Sequence, residues 1–222
     1  MSLPLVTLDT AATPDGKLVL QRRGDRDFFI TIDGRMLMNS ADRRSEVALG
    51  TLACRGLADR PAPRVLVGGL GMAITLRAVL DALPASATVQ VAELNPVIVA
   101  WCRGPIAPVT GGAVDDPRVT VTVGDFADAL RTASATPGTL DAVVIDLYVG
   151  PDDRTRPRDP LYGTVACERA FAALRPGGVF AIWAEARVES YVERLQRAGF
   201  AVACEHPSRV SARFVVYLAT KP

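Results

Sequence analysis

The chain has 222 residues, long enough for one α/β domain with a small appendage and too short for two large domains. Its 25 lysine and arginine residues nearly balance 24 aspartate and glutamate residues, and the net charge of +1 lacks the basic excess of a general nucleic-acid or membrane-surface binder. Hydrophobic residues make up 49%, but no apolar run approaches the ~20 residues of a membrane span and no signal-peptide pattern is present, which predicts a cytoplasmic protein.

Residues 1–60 are predicted to form a small β-rich element with a linking helix. The segments Lys17–Arg22 and Asp27–Asp33 alternate between polar and apolar residues, which favours two antiparallel strands joined by a polar loop. Apolar residues at helical spacing predict a helix over Ser45–Leu57. The stretch Ala58–Pro63 carries two prolines and is predicted to join this element to the main domain.

Residues 61–222 are predicted to form a Rossmann-like nucleoside-binding domain, because strands and helices alternate along them. Apolar segments predict strands at Val65–Val67, Val89–Glu93, Val119–Val123, Leu140–Leu147 and Val179–Trp183. Helices are predicted at Ile74–Leu83, Pro96–Cys102, Phe126–Ala133, Cys167–Leu174 and Val188–Ala198. An antiparallel pair, Phe200–Cys204 and Arg213–Ala219, closes the chain. Apolar strands between helices indicate a mainly parallel, seven-stranded sheet covered on both faces.

Cysteine and histidine usage narrows the possible chemistry. The four cysteines are far apart and show no CxxC spacing, which favours free thiols over a disulfide or a metal site. The only histidine is His206, so neither a Ser-His-Asp triad nor a multi-histidine metal site is expected. No metal is predicted.

A glycine turn follows the first strand of the main domain. Gly68, Gly69 and Gly71 lead into a helix, and the next strand ends on Glu93. Glycines let the backbone approach a ligand closely, and a carboxylate at this position accepts hydrogen bonds from ribose hydroxyls. The pattern predicts a nucleotide-binding site, although a glycine turn also serves tight packing.

Acidic residues also end the strands that follow. Asp125 comes directly after the third strand, and Asp146 lies near the end of the fourth. We expect Asp125 and the adjoining Phe126 to face an adenine, although an aspartate before a helix is also a common N-cap. Asp146 lies between Ile145 and Leu147, where an unpaired charge is costly, so it needs either a donor partner or a substrate.

This arrangement resembles the class I fold of S-adenosylmethionine-dependent methyltransferases. The order of the glycine turn, Glu93, Gly124-Asp125, Asp146 and the Arg175–Gly178 turn carries the resemblance. More narrowly, the chain resembles the spermidine/spermine synthase (aminopropyltransferase) family over residues 17–220. The features of this narrower match are Ile32-Asp33-Gly34 followed by Asp42 and Glu46, the run Asp115–Val119, and Pro160-Leu161-Tyr162.

The resemblance implies a polyamine-type transferase. Asp146 would be the base that deprotonates an amine as it attacks the aminopropyl carbon of decarboxylated S-adenosylmethionine. The co-substrate would be this compound or S-adenosylmethionine, and the partner a small-molecule amine. Related proteins are commonly homodimers, and we expect one here. The acceptor-binding residues would be Asp42, Tyr148, Asp152 and Tyr162.

Three departures from the family pattern keep other functions open. Met72-Ala73 follow the glycine turn where the family has an aspartate, and Val149 replaces a second aspartate in the loop after Asp146. Arg43 and Arg44 stand where the family has polyamine-binding residues. The alternatives are a small-molecule methyltransferase and a non-catalytic nucleoside-binding homologue. A nicotinamide-dependent dehydrogenase is remote, because a full GxGxxG motif is absent.

Overall fold

The computed structural model describes residues 3–206 and 214–222. An N-terminal antiparallel sheet holds four strands in sequence order, β1 (Leu5–Thr13), β2 (Gly16–Arg23), β3 (Asp27–Ile32) and β4 (Arg35–Asn39). Strands β2 and β3 match the two predicted strands. Strands β1 and β4 were not predicted, because β1 is largely exposed and lacks an alternating apolar pattern.

The main domain is built on a seven-stranded sheet in the order β10-β11-β9-β8-β5-β6-β7. Its strands are β5 (Arg64–Gly68), β6 (Thr88–Glu93), β7 (Val119–Val123), β8 (Leu140–Ile145), β9 (Leu174–Ala184), β10 (Ala201–Glu205) and β11 (Val215–Thr220). The pairs from β9 through β7 are parallel, and β11 joins β9 and β10 in antiparallel fashion. The predicted α/β fold with a mainly parallel seven-stranded sheet is confirmed.

Helices cover both faces of this sheet. They are α1 (Arg44–Ala53), α2 (Ile74–Asp81), α3 (Pro96–Arg103), the short α4 (Ala107–Thr110), α5 (Phe126–Ser134), α6 (Thr164–Ala173) and α7 (Glu189–Arg197). Along β5, Val65 and Val67 face the cluster that contains α1, α2 and α3, whereas Leu66 faces the cluster that contains α5, α6 and α7. The apolar residues of β2 and β3 join the first of these clusters, so the N-terminal sheet packs on the main domain.

Several predicted boundaries differ from the structure; α1, for example, ends at Ala53 and not at the predicted Leu57. The Arg175–Gly178 turn lies inside the longer strand β9, where Gly177 has a φ of +77° and the register against β8 shifts. Helix α6 begins at Thr164, before the predicted start at Cys167. Arg213, the predicted start of the last strand, lies outside the described residues. In the part of the chain that the structure describes, no helix is long and apolar enough to cross a membrane.

Candidate active site

A cavity of about 410 Å³ lies at the carboxyl ends of the central strands, beneath the N-terminal sheet. Parallel strands commonly bind ligands at this edge. The charged side chains that line the cavity in the described residues are all carboxylates: Asp15, Glu46, Glu93, Asp125 and Asp146. Apolar side chains from both sheets, including Leu18, Ile30 and Trp183, complete the lining. The cavity therefore suits a ligand that carries positive charge on an apolar body.

The glycine turn packs tightly against protein atoms and also reaches the cavity. A Cβ on Gly68 would collide with the ring of Phe126, and one on Gly69 with the backbone carbonyl oxygen of Asp146. Gly69 has a φ of +88°, which L side chains rarely adopt. Gly71 packs against Met38, and Gly69 and Gly71 both line the cavity. Tight packing thus accounts for these glycines, and two of them still present backbone to a ligand.

Glu93 ends β6 with its carboxylate held by the glycine turn. It is 7% exposed, and it accepts hydrogen bonds from the backbone N–H groups of Leu70 (2.9 Å) and Asn95 (2.8 Å). Burial raises the pKa of Glu93, while these backbone donors act in the opposite direction. The carboxylate is fixed in the cavity wall with further lone pairs available to hydroxyl donors.

Asp125 and Phe126 begin α5 at the edge of the cavity. The Asp125 side chain accepts a hydrogen bond from the backbone N–H of Ala127 at 2.7 Å, so it caps the helix. Asp125 and Phe126 also line the cavity, and the Phe126 ring covers Gly68. Helix capping and ligand contact are therefore compatible at Asp125.

Asp146 follows β8 and is the most perturbed carboxyl group of the cavity. The hydroxyl of Thr75 donates to its Oδ2 at 2.5 Å. Burial raises the pKa of Asp146 to about 7, the nearby charge of Glu46 adds to the rise, and the Thr75 hydrogen bond opposes it. A carboxylate with a pKa near neutrality and no ion-pair partner among the described residues is suited to general-base chemistry.

The other predicted acceptor residues fall into two groups. Tyr148 lines the cavity and is 43% exposed; the Arg35 guanidinium lies 5.5 Å from its ring centroid and donates to its hydroxyl. Asp42, Asp152 and Tyr162 do not line the cavity.

Local partners explain the placement of these three residues. Asp42 forms an exposed ion pair with Arg44 at 2.9 Å. Asp152 accepts a hydrogen bond from the backbone N–H of Arg154. Tyr162 is buried, and its hydroxyl donates to the Val149 carbonyl oxygen at 2.8 Å, which ties down the loop after β8. Burial raises the pKa of this phenol.

Sequence reasoning did not assign Glu46, Thr75 or Asp15 to the site. Glu46 was named only as part of the family resemblance. Thr75 lies within an amphipathic helix, where a single threonine carries no signal of its own. Thr75 and Asp146 are 71 positions apart in the chain, and they meet because β5 pairs with β8. Among the described residues, no three His, Cys, Asp or Glu side chains are arranged to hold a metal ion.

Comparison with curated proteins gives relatives that act on polyamines. The chain is 31% identical over 198 residues to a polyamine aminopropyltransferase of Mycobacterium tuberculosis, covering 86% of this chain and 36% of that protein. It is 33% identical over 122 residues to putrescine N-methyltransferase 1 of Nicotiana tabacum, covering 55% of this chain and 30% of that protein. The chain thus spans about a third of the length of these relatives. No protein-family model matches it.

Solved structures share the fold. The spermidine synthase of Thermotoga maritima matches with a TM-score of 0.74 at 17% identity, over 97% of this chain and 72% of that one. A spermidine synthase in complex with the transition-state analogue AdoDATO matches equally well, over 98% of this chain and 73% of that one. The predicted resemblance is therefore confirmed: the chain is spermidine synthase-like in sequence and has the methyltransferase-like fold of that family.

Proposed function

We propose that this chain transfers an aminopropyl group from decarboxylated S-adenosylmethionine to a small amine, with Asp146 as the base. The observation that carries the proposal is the Asp146 carboxyl group, which has a pKa raised to about 7 and opens on a cavity whose charged lining is wholly acidic. The aminopropyltransferases among the relatives support the same reaction class.

The nucleoside half of the cavity would hold the co-substrate. Glu93 is fixed by two backbone donors and can accept hydrogen bonds from the ribose hydroxyls. The backbone next to Asp125 and the ring of Phe126 would contact the adenine. The apolar wall, including Leu37 and Met38, suits the uncharged parts of the molecule.

The charge of the cavity favours the decarboxylated co-substrate over S-adenosylmethionine. Both compounds carry a sulfonium and an ammonium, but intact S-adenosylmethionine adds a carboxylate. In the part of the chain that the structure describes, no lysine or arginine lines the cavity to pair with that carboxylate, and burying it among five acidic side chains is unfavourable. The same argument places methyl transfer from S-adenosylmethionine second.

The reaction is a direct displacement. The amine nitrogen attacks the aminopropyl carbon bound to sulfur, and the new C–N bond forms as the C–S bond breaks. The electron pair of the C–S bond stays on sulfur, which neutralises the sulfonium and gives methylthioadenosine. Asp146 accepts the proton that the amine nitrogen loses. Because the sulfonium is already a good leaving group, orientation and proton removal are the main contributions required of the protein.

The acceptor would enter beside Asp146, with Tyr148 on its path. We also propose that the protein acts on a small molecule rather than on nucleic acid and functions as a homodimer. Strand β1 supports the dimer, because it is the outer strand of the N-terminal sheet and exposes Leu5 and Val6. Sedimentation velocity tests the assembly: a single monomeric species at all concentrations would contradict it.

Product analysis tests the function. The purified protein is incubated with a panel of mono- and diamines and either decarboxylated or intact S-adenosylmethionine, and the products are identified by mass spectrometry. We expect aminopropylated amine and an equal amount of methylthioadenosine from the decarboxylated compound only. Methylated amine from the intact compound would replace the proposal with the methyltransferase alternative.

Nucleoside binding is measured separately. We expect methylthioadenosine to raise the melting temperature of the wild type, and Glu93→Ala to abolish the increase. Because this variant also leaves the N–H groups of Leu70 and Asn95 without their acceptor, its own melting temperature is recorded first. Glu205→Ala, on the exposed ion pair with Arg55, is the surface control and keeps the full increase. No shift with any adenosyl ligand would overturn the proposal.

A further inference from the structure

The Asp146 carboxylate is held at one oxygen by a hydroxyl to which neither the sequence nor the proposed reaction assigns a role. Thr75 is the second residue of α2 and is 2% exposed. Its Oγ1 donates to Oδ2 of Asp146 at 2.5 Å. Oδ1 of Asp146 has no hydrogen-bond donor within residues 3–206 and 214–222, so one oxygen is held and the other is left to the cavity.

The backbone of Asp146 is fixed independently of this hydroxyl. Its N–H donates to the carbonyl oxygen of Gly68 at 2.9 Å, and its own carbonyl packs against Gly69. The terminal torsion of an aspartate side chain is nevertheless broad and set by local partners. The Thr75 hydrogen bond is therefore what orients the plane of the carboxylate.

Helix capping does not explain the Thr75 hydroxyl. The N-cap of α2 is Ala73, in the left-handed region with a φ of 61°, and no side chain caps the helix. Threonine is a mediocre helix former, and a buried hydroxyl needs a partner to offset its desolvation. Valine would fill the same space at this position without that requirement. The hydroxyl is accounted for by its bond to Asp146.

A second acceptor lies beside the same hydroxyl. The carbonyl oxygen of Glu46 is 3.3 Å from Oγ1 of Thr75. When Asp146 is ionised, the hydroxyl proton is directed to the shorter, charge-assisted bond. Once Oδ1 of Asp146 has taken up a proton, Oδ2 is no longer charged, and the hydroxyl can keep its bond to Oδ2 or turn to the Glu46 carbonyl. Thr75 therefore accommodates both protonation states and favours the ionised one.

We propose that Thr75 is a positioning residue for the base: it fixes Oδ2 of Asp146, so that Oδ1 faces the cavity to receive the proton of the acceptor amine. The catalytic part of this inference rests on the proposed function. The part that concerns the orientation and ionisation of Asp146 holds for any ligand of the cavity.

The ionisation of Asp146 gives the direct test. Among the described residues, the titratable groups around it are Glu46 from α1, Tyr148 in the following loop, Tyr162 before α6, and across the cavity Asp15, Glu93 and Asp125. All of them are acidic, so none of them stabilises the ionised form of Asp146. A hydrogen bond to the ionised form lowers the pKa of a carboxyl group, and its removal must raise it.

The variants are Thr75→Val, which keeps the shape and removes the hydroxyl, and Thr75→Ser, which restores it. Thr132→Val removes a hydroxyl on the exposed face of α5 and is the matched control. The Asp146 carboxyl group is titrated by NMR on protein with ¹³C-labelled aspartate, its signal being assigned by its absence in Asp146→Asn. We expect T75V to raise the pKa of Asp146 by about one pH unit, and T75S and T132V to leave it within a few tenths.

Kinetics with decarboxylated S-adenosylmethionine give the second measurement. We expect the acid limb of the pH profile of kcat to move to higher pH in T75V, by the same amount as the pKa measured by NMR. In T75S the acid limb should return to its wild-type position. An unchanged pKa in T75V overturns the proposal, and so does a shift that T75S fails to reverse. If the wild type transfers no aminopropyl group while the NMR titration shifts as expected, the proposed function fails and the positioning of Asp146 by Thr75 stands.

Discussion

The two aspartates of β8 lie at opposite ends of one strand and in opposite electrostatic surroundings. Asp141 is fully buried and accepts from the guanidinium group of Arg60 (2.5 Å) and from the backbone N–H of Arg64, and it forms an ion pair with Arg175 at 3.2 Å. Asp146 is held by a neutral hydroxyl and lies near another carboxylate. The charge at the amino end of the strand is compensated by the protein, whereas the charge at the carboxyl end is left for a ligand.

The same substitution at the two ends should therefore give opposite results. In Asp146→Asn the base is lost, and we expect the rate of aminopropyl transfer to fall by about 10²- to 10⁴-fold. Stability should not fall with it. Because the pKa of Asp146 is raised from 3.8 to about 7, the folded protein binds more protons than the unfolded chain between these pH values.

The pH dependence of stability follows from the direction of this pKa shift. Asp146 stabilises the fold at acid pH, and its contribution disappears as the pH rises through about 7. At pH 8 the free energy of unfolding of D146N should equal or exceed that of the wild type, measured by urea denaturation. A variant that is inactive and markedly less stable at pH 8 would remove the contrast with Asp141.

Asp141→Asn is the matched change at the other end. It leaves two guanidinium groups beside a fully buried amide, and we expect the free energy of unfolding to fall by about 3 kcal/mol. This value is at the lower end for a broken buried ion pair, because Arg60 and Arg175 are partly exposed. The urea midpoint should fall with an unchanged slope, and the melting temperature with it. Below the unfolding transition, kcat should remain at the wild-type level. A stable D141N would show that the arginines are satisfied by solvent.

The two ends of β8 also differ in how far the sequence predicts them. Asp146 was predicted to lie at a ligand site because a carboxylate at the carboxyl end of an apolar strand is typical of one, and the glycine turn and Glu93 point to the same edge. Its role as the base was implied by the resemblance to the aminopropyltransferase family. The partners of Asp141 were not predicted, since Arg60 lies in the proline-rich joint and Arg175 in the Arg175–Gly178 turn.

The acceptor half of the cavity was harder to predict for a physical reason. The resemblance implied Asp42 and Asp152 as acceptor-binding residues, but each satisfies a local partner and lies outside the cavity lining. Glu46 lines the cavity and Thr75 contacts Asp146 because α1 packs on α2. Local pattern predicts strand ends and turns, whereas contacts between elements depend on tertiary packing.

Glu46 provides the smallest of the expected effects at the site end of β8. Its charge raises the pKa of Asp146, so Glu46→Gln should lower that pKa and move the acid limb of the kcat profile to lower pH, opposite in direction to T75V. The profile is taken at saturating amine, because Glu46 lines the cavity and its loss can change KM. NMR titration of Asp146 in E46Q checks the direction without substrate, and Glu205→Gln serves as the control. A shift of the pKa of Asp146 in the same direction in E46Q and T75V would contradict this account. The ionisation of Asp146 would then not be set by the balance of one hydroxyl donor against one neighbouring charge. The contrast with the arginine-bound Asp141 would need another cause.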